Sequence, residues 1–201
     1  MGRKMHPYTK QNLPISEIKI YGILGILSLG ISILCGSFFK KQFLINSVSP
    51  LLVFSILKYI ADRILHKYFG IDISGDYDVV FGSSYTKFQE KKSAKVQIKQ
   101  NFSKMIITWQ VPDSSESYSI NASLEKLPDG RVKLIYTYYN EPTIGSTKCQ
   151  TQNIHYGTTF LEVKDNKLKG KYFTSERPDL NSDIQQTNWG IIEGNKIVSP
   201  K

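Results

Sequence analysis

Cysteine and histidine are scarce in this chain of 201 residues, which holds two of the former and three of the latter. Cys35 lies inside an apolar run and Cys149 in a distant polar stretch, so the two form neither a disulfide framework nor a metal-ligand cluster. A reducing compartment fits that usage. No phosphate-cradling glycine loop, nucleophile elbow or zinc-ligand spacing is present. Cys149 has no identifiable base or orienting group, and His155 is the sole histidine beyond residue 71. A lone interior histidine is an ordinary hydrogen-bonded residue, so neither catalysis, a cofactor nor a metal is expected.

Acidic residues are nearly missing from the first third. Residues 1–71 hold two against nine Lys and Arg, a net charge of +7, whereas residues 72–201 hold fifteen against seventeen, a net +2. The overall +9 is therefore not a basic nucleic-acid surface, and no DNA or RNA polymer is expected as a partner. The cations flank apolar runs, where Lys and Arg report membrane topology.

From Ile20 to Phe39 twenty residues pass without a charge, enough to cross a hydrocarbon core about 30 Å thick. That run is too long for the apolar region of a signal peptide and has no small-residue cleavage site after it, so retention is expected. Lys40-Lys41-Gln42 reads as a polar turn. Phe43 to Ala61 then gives a second span, with Lys58 snorkelling to the interface. Being shorter and weaker, this second run has an alternative reading as a helix lying on the membrane surface. The expected organisation is a cytoplasmic tail over 1–19, transmembrane helices over 20–39 and 43–61, a linker over 62–74 and a soluble domain over 75–201. Arg3, Lys4, Lys10, Lys19, Lys58, Arg63 and Lys67 outweigh Lys40 and Lys41, which places both termini in the cytoplasm. Ser28, Ser32 and Gly36 recur every four residues beside Gly25 and make one helix face of small residues. Such a face packs either on the chain's own second helix or between copies.

After Gly70 the pattern turns to short alternating runs broken by turn residues, the mark of an all-β domain. Strands are expected over 76–82, 94–102, 104–111, 117–127, 131–140, 153–164, 167–175 and 183–191. Pro128-Asp129-Gly130 and Asp165-Asn166 read as hairpin turns. Strands joined this closely favour an antiparallel up-and-down barrel of about eight strands, lipocalin-like, because closure removes aggregation-prone edges. Lys133, Glu162, Lys164, Lys169 and Lys171 mark the solvent face. Inward positions then include Leu134, Leu161 and Leu168 as a dry floor, and Tyr138, Asn140, His155, Thr159, Tyr172 and Thr174 as a polar, aromatic mouth. Arg177 follows just beyond. Buried polar groups without partners would cost about 1–3 kcal/mol each, so they bond one another, water or a ligand. A barrel plugged by such side chains and water is the alternative. A membrane-anchored lipocalin-like carrier, or a scaffold barrel binding a lipid or a partner protein, is the competing function.

The order of motifs resembles one family. Behind the helical hairpin come Gly75-Asp76-Tyr77, Ser83-Ser84-Tyr85, Tyr136-Thr137-Tyr138-Tyr139-Asn140, His155-Tyr156-Gly157-Thr158 and Leu168-Lys169-Gly170-Lys171-Tyr172-Phe173, leading to Arg177. This arrangement is similar to the CD-NTase-associated membrane effectors of CBASS antiphage defence, which join two transmembrane helices to a β-barrel. The resemblance implies a barrel that binds a cyclic dinucleotide made by a partner CD-NTase nucleotidyltransferase. It also implies a homo-oligomer formed on ligand binding, multi-pass insertion in the bacterial inner membrane, and membrane disruption that kills the infected cell. Under that reading Tyr138 and Tyr172 flank bases, Asn140, Thr159 and Thr174 read base or ribose edges, Ser84 and Tyr85 close the rim, and Arg177 meets a phosphate. An ordinary surface pair of Arg177 with Glu176 or Asp179 is the other possibility.

Overall fold

The computed structural model describes residues 4–11, 17–38, 50–69, 71–84, 91–143, 154–174 and 188–198. The chain divides into two compact units, one of residues 13–72 and one of residues 1–12 with 73–201.

The smaller unit is a pair of helices, α1 (Glu17–Phe38) and α2 (Pro50–Phe69), in contact with each other. Ile20 and Ser28 are buried on α1, and Val53 and Ala61 on α2. Lys58 of α2 lies 5.4 Å from the centre of the Tyr21 ring of α1 and pairs with Asp62 at 3.1 Å. Ile18 to Cys35 is the one helical stretch among the described residues long and apolar enough to span a membrane. The second span was expected over Phe43 to Ala61. The helix observed starts at Pro50 and runs on to Phe69, through positions read as linker, while 43–49 lie outside the described residues. A proline fits the first turn of a helix, where its missing N–H is no loss.

The larger unit is a closed barrel of eight antiparallel strands: β3 (Gly75–Phe81), β4 (Lys92–Gln100), β5 (Lys104–Val111), β6 (Ser115–Lys126), β7 (Val132–Pro142), β8 (His155–Lys164), β9 (Lys167–Thr174) and β10 (Trp189–Lys196). Each pairs with its sequence neighbours, and β10 returns to β3, so the meander expected from the alternation is what forms. Asp165 and Asn166 have φ of 48° and 62°, the left-handed pair a two-residue hairpin turn requires. Gly130 (φ 82°) ends the β6–β7 turn, where Asp129 accepts the Arg131 N–H and guanidinium. Those bonds hold the Asp129 carboxyl below its ordinary pKa.

Two features differ from expectation. The last strand was placed over 183–191 but is seen over Trp189–Lys196. Glu193-Gly194-Asn195-Lys196 looks like a turn. Gly194 is nevertheless an inward strand position, because a Cβ there would collide with Val79 Cγ1 and the Asp78 carbonyl of β3. Second, the N-terminal stretch read as a tail carries two short strands, β1 (His6–Pro7) against β5 and β2 (Thr9–Gln11) against β6.

One end of the barrel is packed solid by Tyr77, Val79, Ile98, Met105, Ile107, Leu124, Leu134, Leu161 and Leu168, all almost fully buried. The expected leucine floor is part of this core. The other end holds a cavity.

Candidate ligand-binding site

β3, β5, β7 and β9 finish at this second end, and the strands that follow them start there. A cavity of about 100 Å³ lies inside it. Tyr138, Asn140, His155, Thr159, Tyr172 and Thr174, six residues picked from three different strands, all line it. Alternation places them there: along β7 and β8 every second side chain is buried, and the register sets Tyr138 opposite Gly157 and Asn140 opposite His155.

Glycines make room for the two tyrosines. A Cβ on Gly157 would strike the Tyr138 ring and hydroxyl, and one on Gly190 would strike the Tyr172 ring. Tyr172 Oη donates to the Gly82 carbonyl at 3.3 Å, and its ring meets Phe81 edge-on at 6.2 Å. Ser117 Oγ donates to Asn140 Oδ1 at 2.9 Å, which turns the Asn140 amide nitrogen toward His155 Nδ1, 3.5 Å away. Thr174 Oγ1 bonds the Asn188 carbonyl at 3.3 Å.

Ser84 is not in the lining. Its N–H donates to the Trp189 carbonyl at 2.8 Å and its hydroxyl accepts the Trp189 N–H at 3.0 Å, which extends the β3–β10 ladder outside the cavity. Tyr85 and Arg177 lie outside the described residues. On α1, Ser28 is buried with its hydroxyl donating to the Gly25 carbonyl at 2.7 Å, Ser32 Oγ is buried without a hydrogen-bond partner among the described residues, and Gly36 lies in the last turns.

Sequence reading missed Phe81, Trp109, Ser117 and Asn188, which also line the cavity. Trp109 Nε1 donates to Tyr136 Oη at 2.6 Å, and its ring meets Phe81 at 6.1 Å and 85°. None of the described lining residues is Lys, Arg, Asp or Glu. What the wall offers is flat rings, hydroxyls and amides. Drug-sized ligands fill roughly 300–1,000 Å³, so the space enclosed by the described walls is smaller than such a ligand.

Tyr136 lies at the base of the cavity. Burial raises its phenol pKa well above the ordinary value near 10, against hydrogen bonds with Thr159 and Trp109 that lower it. The folded state thus holds a proton that the unfolded chain releases above about pH 10, and stability falls there by up to about 1.4 kcal/mol per pH unit. Below that pH the contribution is intact. Tyr136→Phe is expected to flatten this alkaline slope. It should also cost about 1–3 kcal/mol at neutral pH by leaving the Trp109 N–H without its acceptor. Chemical denaturation between pH 7 and 11 measures both effects, and an unchanged slope would mean that another group sets it.

A small up-and-down barrel packed solid at one end, with a cavity whose described lining is rings and neutral polar groups at the other, has the architecture of a ligand-binding barrel. Residues 71–186 match the family model described as "Cap15, cyclic dinucleotide receptor domain", and the chain belongs to that family. It is also 38% identical over 103 residues to CD-NTase-associated protein 15 of Staphylococcus schleiferi, a stretch covering 51% of this chain and 54% of that protein. The chain thus spans about half the length of this relative. The family is one of receptors, and the resemblance read from the motifs holds.

Proposed function

We propose that this chain is a membrane-embedded effector of CBASS antiphage defence whose cytoplasmic barrel binds a cyclic dinucleotide made by a partner CD-NTase nucleotidyltransferase. Ligand drives self-association of the barrels, which concentrates the helical hairpins until they disrupt the inner membrane and kill the infected cell. The barrel acts by binding and performs no reaction on its ligand. The observation that carries this reading is the cavity, aromatic and free of charged side chains among its described lining, inside the stretch that matches the receptor domain.

Tyr138 and Tyr172 flank bases, while Asn140, His155, Thr159 and Thr174 meet base or ribose edges. Ser84 and Tyr85 belong to the rim. The described lining supplies no permanent cation for the phosphates. That is the case for Arg177, which follows within three residues of Thr174 in the sequence. The apolar α1 supports insertion, and the balance of flanking cations supports two spans with both termini cytoplasmic. The face of Gly25, Ser28, Ser32 and Gly36 is the surface for assembly between copies.

Calorimetric titration of the full chain in detergent micelles with a panel of cyclic dinucleotides tests the ligand. Arg177→Ala is expected to weaken binding roughly 10- to 100-fold, the worth of a charge-assisted bond of about 1.5–3 kcal/mol. Unchanged affinity removes Arg177 from the site. Absence of binding to any cyclic dinucleotide, with lipid recovered from the purified chain, would favour the carrier instead.

A further inference from the structure

Strands β5 and β6 pair only over Thr108–Val111 against Ser115–Tyr118, the half of their seam nearest the cavity. Below that point the backbone ladder stops. The Ile107 N–H is taken by the Ser119 hydroxyl at 2.9 Å instead of a carbonyl of β6, and β6 bulges between Ser119 and Asn121. A gap in a barrel wall exposes backbone donors and acceptors on both sides, and an extended peptide of matching length fills it.

Residues 6–11 of this chain fill it. His6 and Pro7 pair antiparallel with Met105 and Lys104, and Thr9, Lys10 and Gln11 run parallel to Ser123, Leu124 and Glu125. Tyr8 between them is 6% exposed, and its hydroxyl accepts from Gln100 Nε2 at 2.8 Å and donates to the Asn101 carbonyl at 3.0 Å. Lys10 Nζ stands 3.9 Å from the centre of the Phe102 ring, and His6 Nε2 meets the same Ser119 hydroxyl at 2.6 Å. The contacts are specific, yet the ladders are two and three residues long, against eleven residue pairs between β6 and β7. A strand held by so few bonds opens at a lower free energy than the wall around it.

We propose that the β5–β6 seam is a strand-acceptor site and that His6–Gln11 is its detachable occupant, a strap in the barrel wall immediately preceding α1. The matched receptor-domain stretch begins at residue 71, so it does not include the strap. Release of the strap frees the chain leading to α1 while the Trp109–Ser117 half of the seam stays paired. The proposal stands whether or not the cavity takes a cyclic dinucleotide.

Hydrogen exchange of the full chain in micelles, read by mass spectrometry, tests it. Tyr8→Ala and Lys10→Pro are expected to speed exchange tenfold or more in peptides covering residues 104–107 and 121–126, leaving residues 134–140 and 157–163 unchanged. Adding a synthetic peptide with the sequence of residues 4–12 to the Tyr8→Ala chain should restore slow exchange, and the same peptide carrying Tyr8→Ala should not. Three results would overturn the proposal. One is no change in either variant, and another is acceleration spread equally over β7 to β9, which would make the strap a permanent part of one cooperative wall. The third is failure of excess peptide to restore protection.

Discussion

A Gly157→Val chain is expected to bind cyclic dinucleotide on the order of 100-fold more weakly than the natural chain and to melt several degrees lower. Gly157 stands opposite Tyr138 across β7 and β8, and any Cβ there would overlap the Tyr138 Cζ and Oη and the Phe173 backbone carbonyl. The carbonyl belongs to the β8–β9 ladder and moves little, so the tyrosine ring is the group displaced. Losing a base-stacking surface costs about 1–3 kcal/mol, and the valine methyls also take up space in a cavity of only about 100 Å³. Overpacking a filled interior adds about 1–3 kcal/mol of destabilisation, some 4 °C of melting temperature for each kcal/mol in a barrel of this size. Lys169→Ala is the control. That side chain and its partner Glu193, 3.6 Å away, are both well exposed, so neither binding nor melting should change measurably. Titration and thermal melting of the three chains decide the matter. Wild-type affinity in Gly157→Val would show that the ligand does not rest on the Tyr138 side of the barrel.

The limits of sequence reading follow from which strands carry charge. On β7, β8 and β9, lysines and glutamates at alternate positions mark the outer face, and the inward residues follow from the two-residue period. β5 is different. It reads Lys104-Met-Ile-Ile-Thr-Trp-Gln-Val, with one charge at its first residue and both Ile106 and Ile107 buried, so alternation does not say which way Trp109 points. The last strand was ended too early because Gly194, followed by Asn195, looks like a turn, whereas that glycine is needed as a gap for the Val79 side chain. The strap was illegible for another reason. Pro7 argues against a strand, and the seam it enters arises only because β5 and β6 part at Ser119. Lys10, counted among the cations flanking the first span, stands over the Phe102 and Tyr8 rings of the barrel unit.

Trp109 is where stability and binding meet, and Trp109→Ala should have the largest effect on the fold of any lining residue. Its indole is 9% exposed, donates to Tyr136 at 2.6 Å and abuts Phe81. Truncating a buried tryptophan costs about 3–5 kcal/mol, which corresponds to a melting temperature roughly 10–20 °C lower. Trp109→Phe keeps a ring against Phe81 and loses mainly the bond to Tyr136, a cost nearer 1–2 kcal/mol. The two variants separate packing from hydrogen bonding. Binding should follow the ring: on the order of 10- to 100-fold weaker in the alanine variant, and within about fivefold of wild type in the phenylalanine one. Fluorescence gives an independent readout, since the chain has only two tryptophans and the other, Trp189, is 50% exposed on the outer face. In a Trp189→Phe chain the remaining emission belongs to Trp109, and cyclic dinucleotide should quench or shift it with the same midpoint as the calorimetric titration. Saturating ligand that leaves this emission untouched would place the ligand away from the β5 wall, whatever its affinity.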